Sequence, residues 1–171
     1  MRVLGVDPGL ATTGWGVVEP TSSGGCRVLS YGVILTPAGQ PLADRLKRLA
    51  EELRGIVARE RPALAAVEEL FFVKNGSSAA SVGHGRGALL LTLAELGLPI
   101  HEYNPRQVKT ALTGYGAADK YQMQNMVQRF LGLKDLPRPD DAADALAIAL
   151  CHLNTVKIKD GGRGIGVREL I

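Results

Sequence analysis

The sequence predicts an α/β fold, a mixed five-stranded sheet flanked by helices on both faces. Three observations predict it. Three short apolar runs near the N-terminus are joined by turn residues, as in an antiparallel meander. Beyond them, apolar stripes at helical spacing alternate with short apolar runs, the pattern of crossover connections that cover both faces of a sheet. Hydrophobic residues make up 46% and charged residues 22% of the 171 positions, ordinary for one globular domain around one core.

The elements follow in order. "RVLGV" (2–6) is an apolar run ended by Asp7-Pro8-Gly9, a buried strand followed by a turn. "TGWGVVEP" (13–20) reads as a second strand, and "CRVLSYGVIL" (26–35) as a third after the Ser-Ser-Gly-Gly turn at 22–25. Over 41–62, Leu42, Leu46, Leu49, Leu53, Ile56 and Val57 fall on one helical stripe with charges opposite. "ALAAVEEL" (63–70) is another buried strand. The spacing predicts a helix over 77–97, weakened in its first half by Gly83, Gly85 and Gly87. A strand over 98–103 and helices over 105–112, 119–133 and 140–153 complete the domain, expected to span 1–156. The segment 157–171 holds Lys157, Lys159, Arg163 and Arg168 among four glycines, and is expected to be a flexible basic tail.

Composition excludes several function classes. The net charge of +3 and a pI near 9.0 are compatible with a polyanionic partner without establishing one. Cys26 and Cys151 form no CxxC pair, and His84, His101 and His152 form no HExxH, so a zinc site is not expected. Reduced buried thiols in a cytoplasmic protein are the expectation. The start "MRVLGVDPG" lacks the long apolar run of a signal peptide, and no run approaches the ~20 apolar residues of a membrane span.

Three aspartates, Asp140, Asp141 and Asp144, stand at the head of one of the most apolar runs, "PRPDDAADALAIALCHL" (137–153). At ~100° per residue, Asp141 and Asp144 lie about 60° apart on one helix face. Leu146, Ala149, Leu150 and Leu153 lie roughly opposite, while Ile148 and Cys151 continue the acidic face, so the helix is apolar all round and buried on more than one side. Paired carboxylates there are no solvated surface, though the positive end of the helix dipole favours them. Asp140, just after Pro139, suits a cap or first-turn role. Asp7 ends one apolar strand, and Glu68 and Glu69 end another. Sites in open sheets form beyond strand ends. Acids from these points converging in one pocket would repel unless a cation joined them, and an all-oxygen donor set without Cys or His selects a hard ion, Mg²⁺ or Mn²⁺. Two such ions are the usual apparatus of in-line phosphoryl displacement. Strand alternation does not choose between Glu68 and Glu69, because both faces of that strand are apolar.

Five segments in order, "VLGVDPGLATTGWGVV", "AVEELFFVKN", "GHGRGALL", "PRQVKTALTGYGAADKYQMQNMV" and "PDDAADALAIALCH", resemble the RuvC family of bacterial Holliday junction resolvases over residues 1–153. The resemblance implies an RNase H-like fold, with catalytic, metal-holding carboxylates at Asp7, Glu68, Asp141 and Asp144. It selects Glu68 over Glu69 and leaves Asp140 as an extra acid. It further implies a homodimer that nicks four-way DNA junctions symmetrically with Mg²⁺ or Mn²⁺, two ions per site, leaving 5′-phosphate and 3′-hydroxyl ends. A partnership with the RuvA–RuvB branch-migration complex follows from the same likeness. Phe71 would contact bases near the junction centre. Lys109 and Lys120 would lie near the scissile phosphate, with Arg106 beside them; solvated surface lysine is the plain alternative. "GHGRG" (83–87) follows no strand and is no phosphate loop; the family places this helix at the dimer interface.

Two rivals stand beside this reading. Sugar kinases and actin-like ATPases open with a similar strand, Asp-Gly turn and hairpin, but need a second nucleotide-binding half that 171 residues do not supply. The other rival is an RNase H-like nuclease of different substrate, or a junction-binding module without catalysis.

Overall fold

The computed structural model describes residues 1–69 and 76–159, and the side chains of these apart from 76–79 and 157–159. Ten elements follow one another: β1 (Val3–Asp7), β2 (Thr12–Pro20), β3 (Cys26–Leu35), α1 (Leu42–Glu60), β4 (Leu64–Glu68), α2 (Gly76–Glu95), β5 (Ile100–Tyr103), α3 (Pro105–Thr113), α4 (Lys120–Leu131) and α5 (Asp140–Lys159). The sheet order is β3-β2-β1-β4-β5. The β1–β2 and β2–β3 pairs are antiparallel, and β1–β4 and β4–β5 are parallel, so the sheet is mixed as expected. Every expected element is present. α5 runs on to Lys159, past the expected end at 153, because its second half stays packed: the Asn154 amide donates to the Ala111 carbonyl of α3 at 3.1 Å.

Side-chain alternation divides the sheet between two cores. Leu4, Val6, Trp15, Val17, Ala65 and Val67 face α1 and α2, where Leu49, Leu53, Ile56, Leu89 and Leu93 meet them. Val3, Val18, Leu64 and Ala66 face α5, with α3 and α4 packed outside it through Val108, Leu112, Val127 and Phe130. The two outer helices start on matching devices. Asn104 caps α3 and Asp119 caps α4, each accepting from the backbone N–H three residues on, while Gln107 and Gln122 reach back to the cap backbone.

Glycines decide how closely α5 lies on the sheet. A Cβ on Gly5 of β1 would come to 1.9 Å from the Ala145 carbonyl oxygen, and one on Gly14 of β2 to 1.9 Å from the Asp141 carbonyl oxygen. On Gly16 it would meet the Leu146 side chain at 2.6 Å. The helix backbone therefore rests on bare strand backbone. Gly55, on the exposed side of α1, has open space around it. Gly5→Ala should destabilise the protein by about 1–3 kcal/mol through overpacking, whereas Gly55→Ala should stabilise it by about 0.5–1 kcal/mol through helix propensity. Urea unfolding of both variants checks this; equal midpoints would contradict the close approach.

Candidate active site

The site is built where β1 and β4 end side by side. Their parallel register pairs Val6 with Val67, which sets Asp7 beside Glu68. The face question left open by the sequence is answered by packing. Leu64 and Ala66 lie in the α5 core, so the alternation carries Glu68 to the α5 side, the side of Val3 and Gly5 and hence of Asp7. Glu69 lies beyond the strand, where its N–H donates to the Tyr103 carbonyl at 2.9 Å.

α5 supplies the other two acids. From Ala142 to Asn154 every residue is buried except Asp144, which, like Asp141, is half-buried. The Gly14 contact sets the Asp141 backbone against β2 at the strand position paired with Asp7. The charges confirm the convergence. Burial, together with the charges of Glu68, Asp144 and Asp141 and a hydrogen bond to Glu68, raises the Asp7 carboxyl from 3.8 to about 8. Burial and the Asp144 charge raise Glu68, opposed by its hydrogen bond with Asp7 and by Lys109. Burial also raises Asp144, against the pull of Lys120. Asp7 and Glu68 thus share a proton, which is how crowded acids limit repulsion.

A cleft of about 230 Å³ opens on the acids. Glu68, Asp144, Lys109 and Lys120 line it, over an apolar floor that includes Val108, Met123 and Ile148. A larger cavity of about 310 Å³, between the α3–α4 connection and α4, has no acid in its walls. Of the expected residues, the structure brings together Asp7, Glu68, Asp141, Asp144, Lys109 and Lys120. Arg106 is exposed at the start of α3, its side chain against Gly116, and is not part of the cleft wall. Phe71 lies outside the described residues.

Two features escaped the sequence reading. Arg86 of α2 pairs with Glu102 and directs its Nε at the Glu68 carbonyl oxygen, 3.4 Å away, steadying the strand end that carries the acid. Arg86 stands within the GHGRG stretch, among its glycines. Asp140 stands in the first turn of α5, as expected, and there its carboxylate also meets Lys120, Arg138 and Gln124.

The donor chemistry fits a hard divalent cation. All four groups are carboxylates, three of them raised by burial and mutual repulsion that a cation relieves. Among the described residues, no three acids, histidines or cysteines already stand as a ligand shell. The acids are gathered, and a proton between Asp7 and Glu68 holds two of them together.

Comparison with known proteins bears on this arrangement. The family described as "Crossover junction endodeoxyribonuclease RuvC" matches residues 3–152. A crossover junction endodeoxyribonuclease RuvC of Chloroflexus aurantiacus is 57% identical over 155 residues, covering 91% of this chain and 94% of the relative. That of Endomicrobium trichonymphae is 54% identical over 156 residues, covering 91% and 82%. Among solved structures, T. thermophilus RuvC in complex with a Holliday junction substrate superposes with a TM-score of 0.88 at 40% identity, over 93% of this chain and 96% of that one. The yeast mitochondrial Holliday junction resolvase Ydc2 shares the fold at a TM-score of 0.60 and 13% identity, over 86% and 76%. Among the described residues no helix is long and apolar enough to cross a membrane.

The raised carboxyls give a pH dependence whose sign is fixed. Between 3.8 and about 8 the folded protein holds a proton on Asp7 that the unfolded chain releases. Stability is therefore greatest at the acid end of that window and falls as pH rises through it. Thermal unfolding in EDTA should show Tm declining from about pH 4 to pH 8, with a shallower decline for Asp7→Asn. Parallel curves for the two proteins would contradict the shared proton.

Proposed function

The chain belongs to the RuvC family of crossover junction endodeoxyribonucleases, and from that premise we propose that Asp7, Glu68, Asp141 and Asp144 are its catalytic carboxylates. The protein is a nuclease that hydrolyses DNA phosphodiester bonds and resolves four-way junctions, with a divalent cation as cofactor. One observation carries the assignment of residues: acids from β1, β4 and α5 meet at one end of the sheet and raise one another's pKa. Neither a junction-binding module nor a structural core needs such a cluster.

Asp7, Glu68, Asp141 and Asp144 would hold the cation, Mg²⁺ or Mn²⁺, as the pair of ions used in in-line hydrolysis. Bound there, divalent ions supply Lewis acidity and a nucleophilic water at neutral pH. The rest falls to the chain. The β1 and β4 ends and the α5 face hold the acids rigidly against the sheet, so little reorganisation accompanies reaction. Lys109 and Lys120 offer their ammonium groups to the phosphodiester from the same cleft that presents Glu68 and Asp144, balancing the negative charge of a DNA strand brought against acids. Arg106, exposed nearby on α3, adds to the grip on the DNA backbone, and Phe71 contacts bases at the junction centre. The products carry 5′-phosphate and 3′-hydroxyl ends.

Symmetric nicking of a two-fold junction calls for a two-fold protein, and we assign the dimer contact to α2. Its support is exposed apolar surface: Leu91 on the helix is 61% exposed, and Leu96, just past its end, is 40% exposed. A partnership with the RuvA–RuvB complex, and work in the cytoplasm on recombining DNA, complete the reading.

Cleavage of synthetic four-way junctions, linear duplex and RNA–DNA hybrid tests it. Asp7→Asn, Asp141→Asn and Asp144→Asn should each abolish nicking while junction binding survives, since basic groups and shape carry affinity. Glu68→Gln should lose about a hundredfold or more in single-turnover rate, and Glu69→Gln should retain most activity. Strong nicking by any of the four core variants removes that residue from the site, and nicking of linear duplex at the same rate would favour a less selective nuclease. For the dimer, sedimentation of the parent at micromolar concentration should give a species twice the chain mass, and Leu91→Glu should shift it to monomer. Paired nicking by a purely monomeric protein would contradict the assignment.

A further inference from the structure

Asp140 belongs to none of the roles assigned so far, yet its surroundings are the most specific of any acid at the site. It is the first residue of α5, one position before Asp141. Three donors from two other segments meet its carboxylate. Lys120 Nζ lies 2.9 Å from Oδ2, Arg138 Nη1 lies 2.7 Å from Oδ1, and Gln124 Nε2 donates to Oδ1 at 2.9 Å. Gln124 is only 6% exposed, so its amide is a fixed donor on the inner face of α4. The carboxylate is thus held in one orientation before Lys120 reaches it.

Lys120 is the first residue of α4, its backbone fixed by the Asp119–Gln122 capping box. Its side chain is more than half exposed and ends in a compact charge on a flexible stem. Two attractions compete for that charge. Asp144, which Lys120 helps keep ionised, lies across the same cleft, with Asp141 close behind. An ammonium that fell onto those acids would neutralise the groups proposed to hold the cation. An ammonium that wandered into solvent would miss the phosphate. The contact with Asp140 keeps it at the rim between the two.

We propose that Asp140 is a positioning residue that tethers Lys120 at the rim of the cleft, facing the DNA phosphate and held off Asp141 and Asp144. The inference rests on the nuclease reading above. It differs from a structural role in one respect: Asp140 is itself a negative charge beside the lysine that would meet DNA, so its loss should slow cleavage without weakening binding.

The test is a double-mutant cycle on the full chain. Asp140→Asn keeps the shape and an oxygen for Gln124 but loses the charge that holds Lys120. Junction affinity is measured in EDTA, and single-turnover nicking with saturating protein. Asp140→Asn should nick about ten- to a hundredfold more slowly, the loss that follows from a small misplacement of a reacting-centre group, while binding the junction at least as tightly as the parent. Asp140→Glu, which keeps the charge, should nick faster than Asp140→Asn. In a Lys120→Ala background, Asp140→Asn should bring no further loss, because the residue it positions is gone. The inference is overturned if Asp140→Asn nicks at the parent rate, if its loss is undiminished in the Lys120→Ala background, or if binding falls in step with cleavage. A parent protein that leaves junctions intact would sink the nuclease reading itself; a parent that nicks them beside an unaffected Asp140→Asn sinks this inference alone.

Discussion

The backbone of α5 touches the backbone of the sheet, and the site depends on that contact. Most helices stand off a sheet by the depth of two side-chain layers, but here Gly5 and Gly14 leave room for the carbonyl oxygens of Ala145 and Asp141 to come down between strands. The helix answers with small residues of its own: Ala142, Ala143, Ala145, Ala147 and Ala149 are all buried. Aspartate has a short side chain, so acids on a helix at ordinary distance would fall short of acids on the strand ends. Close approach removes the gap. α3 and α4 then pack outside α5 and bring Lys109 and Lys120 to the cleft.

Much of this was legible in the sequence, and the exceptions have physical causes. Helical stripes such as Leu46-Leu49-Leu53-Ile56 report local structure, and local structure is what periodicity encodes. Asp141 and Asp144 stood out because charge in an apolar helix needs an explanation. The choice between Glu68 and Glu69 was not legible from alternation, since apolar residues line both faces of β4; only the packing of Leu64 and Ala66 against the α5 side decides it. Gly5, Gly14 and Gly16 gave no sign of forming a surface for a helix, because their partners lie far along the chain. Arg86 and Asp140 were hidden for the same reason. Each acts through a residue on another element, Glu68 and Lys120, and pairings of that kind leave no spacing pattern behind.

The acid cluster sets function against stability. Burial raises Asp7, Glu68 and Asp144, and the charge of at least one neighbouring carboxylate raises each of them further. A fold selected for stability alone would replace some of them with neutral residues of similar volume. Retaining them stores an electrostatic demand that a divalent ion would meet, so under the proposed assignment the strain that weakens the metal-free protein would also supply affinity for the cofactor. The lysines on the cleft wall ease the demand in part, from a distance that leaves the acids open to an ion.

The meeting of β1 with α5 joins the first strand of the sheet to the last described helix. The contacts of α5 with β1 and β2, its most extensive with the sheet, close loops containing most of the domain, and such closures come late in folding. During synthesis, Asp7 and the β-hairpins emerge early, but Asp141 and Asp144 leave the ribosome only after all the other elements have been made. A nascent or prematurely ended chain therefore carries Asp7 and Glu68 without Asp141 and Asp144. If the four acids act together as proposed, that order of assembly is a safeguard for a nuclease: no fragment of the protein would nick before the fold is closed.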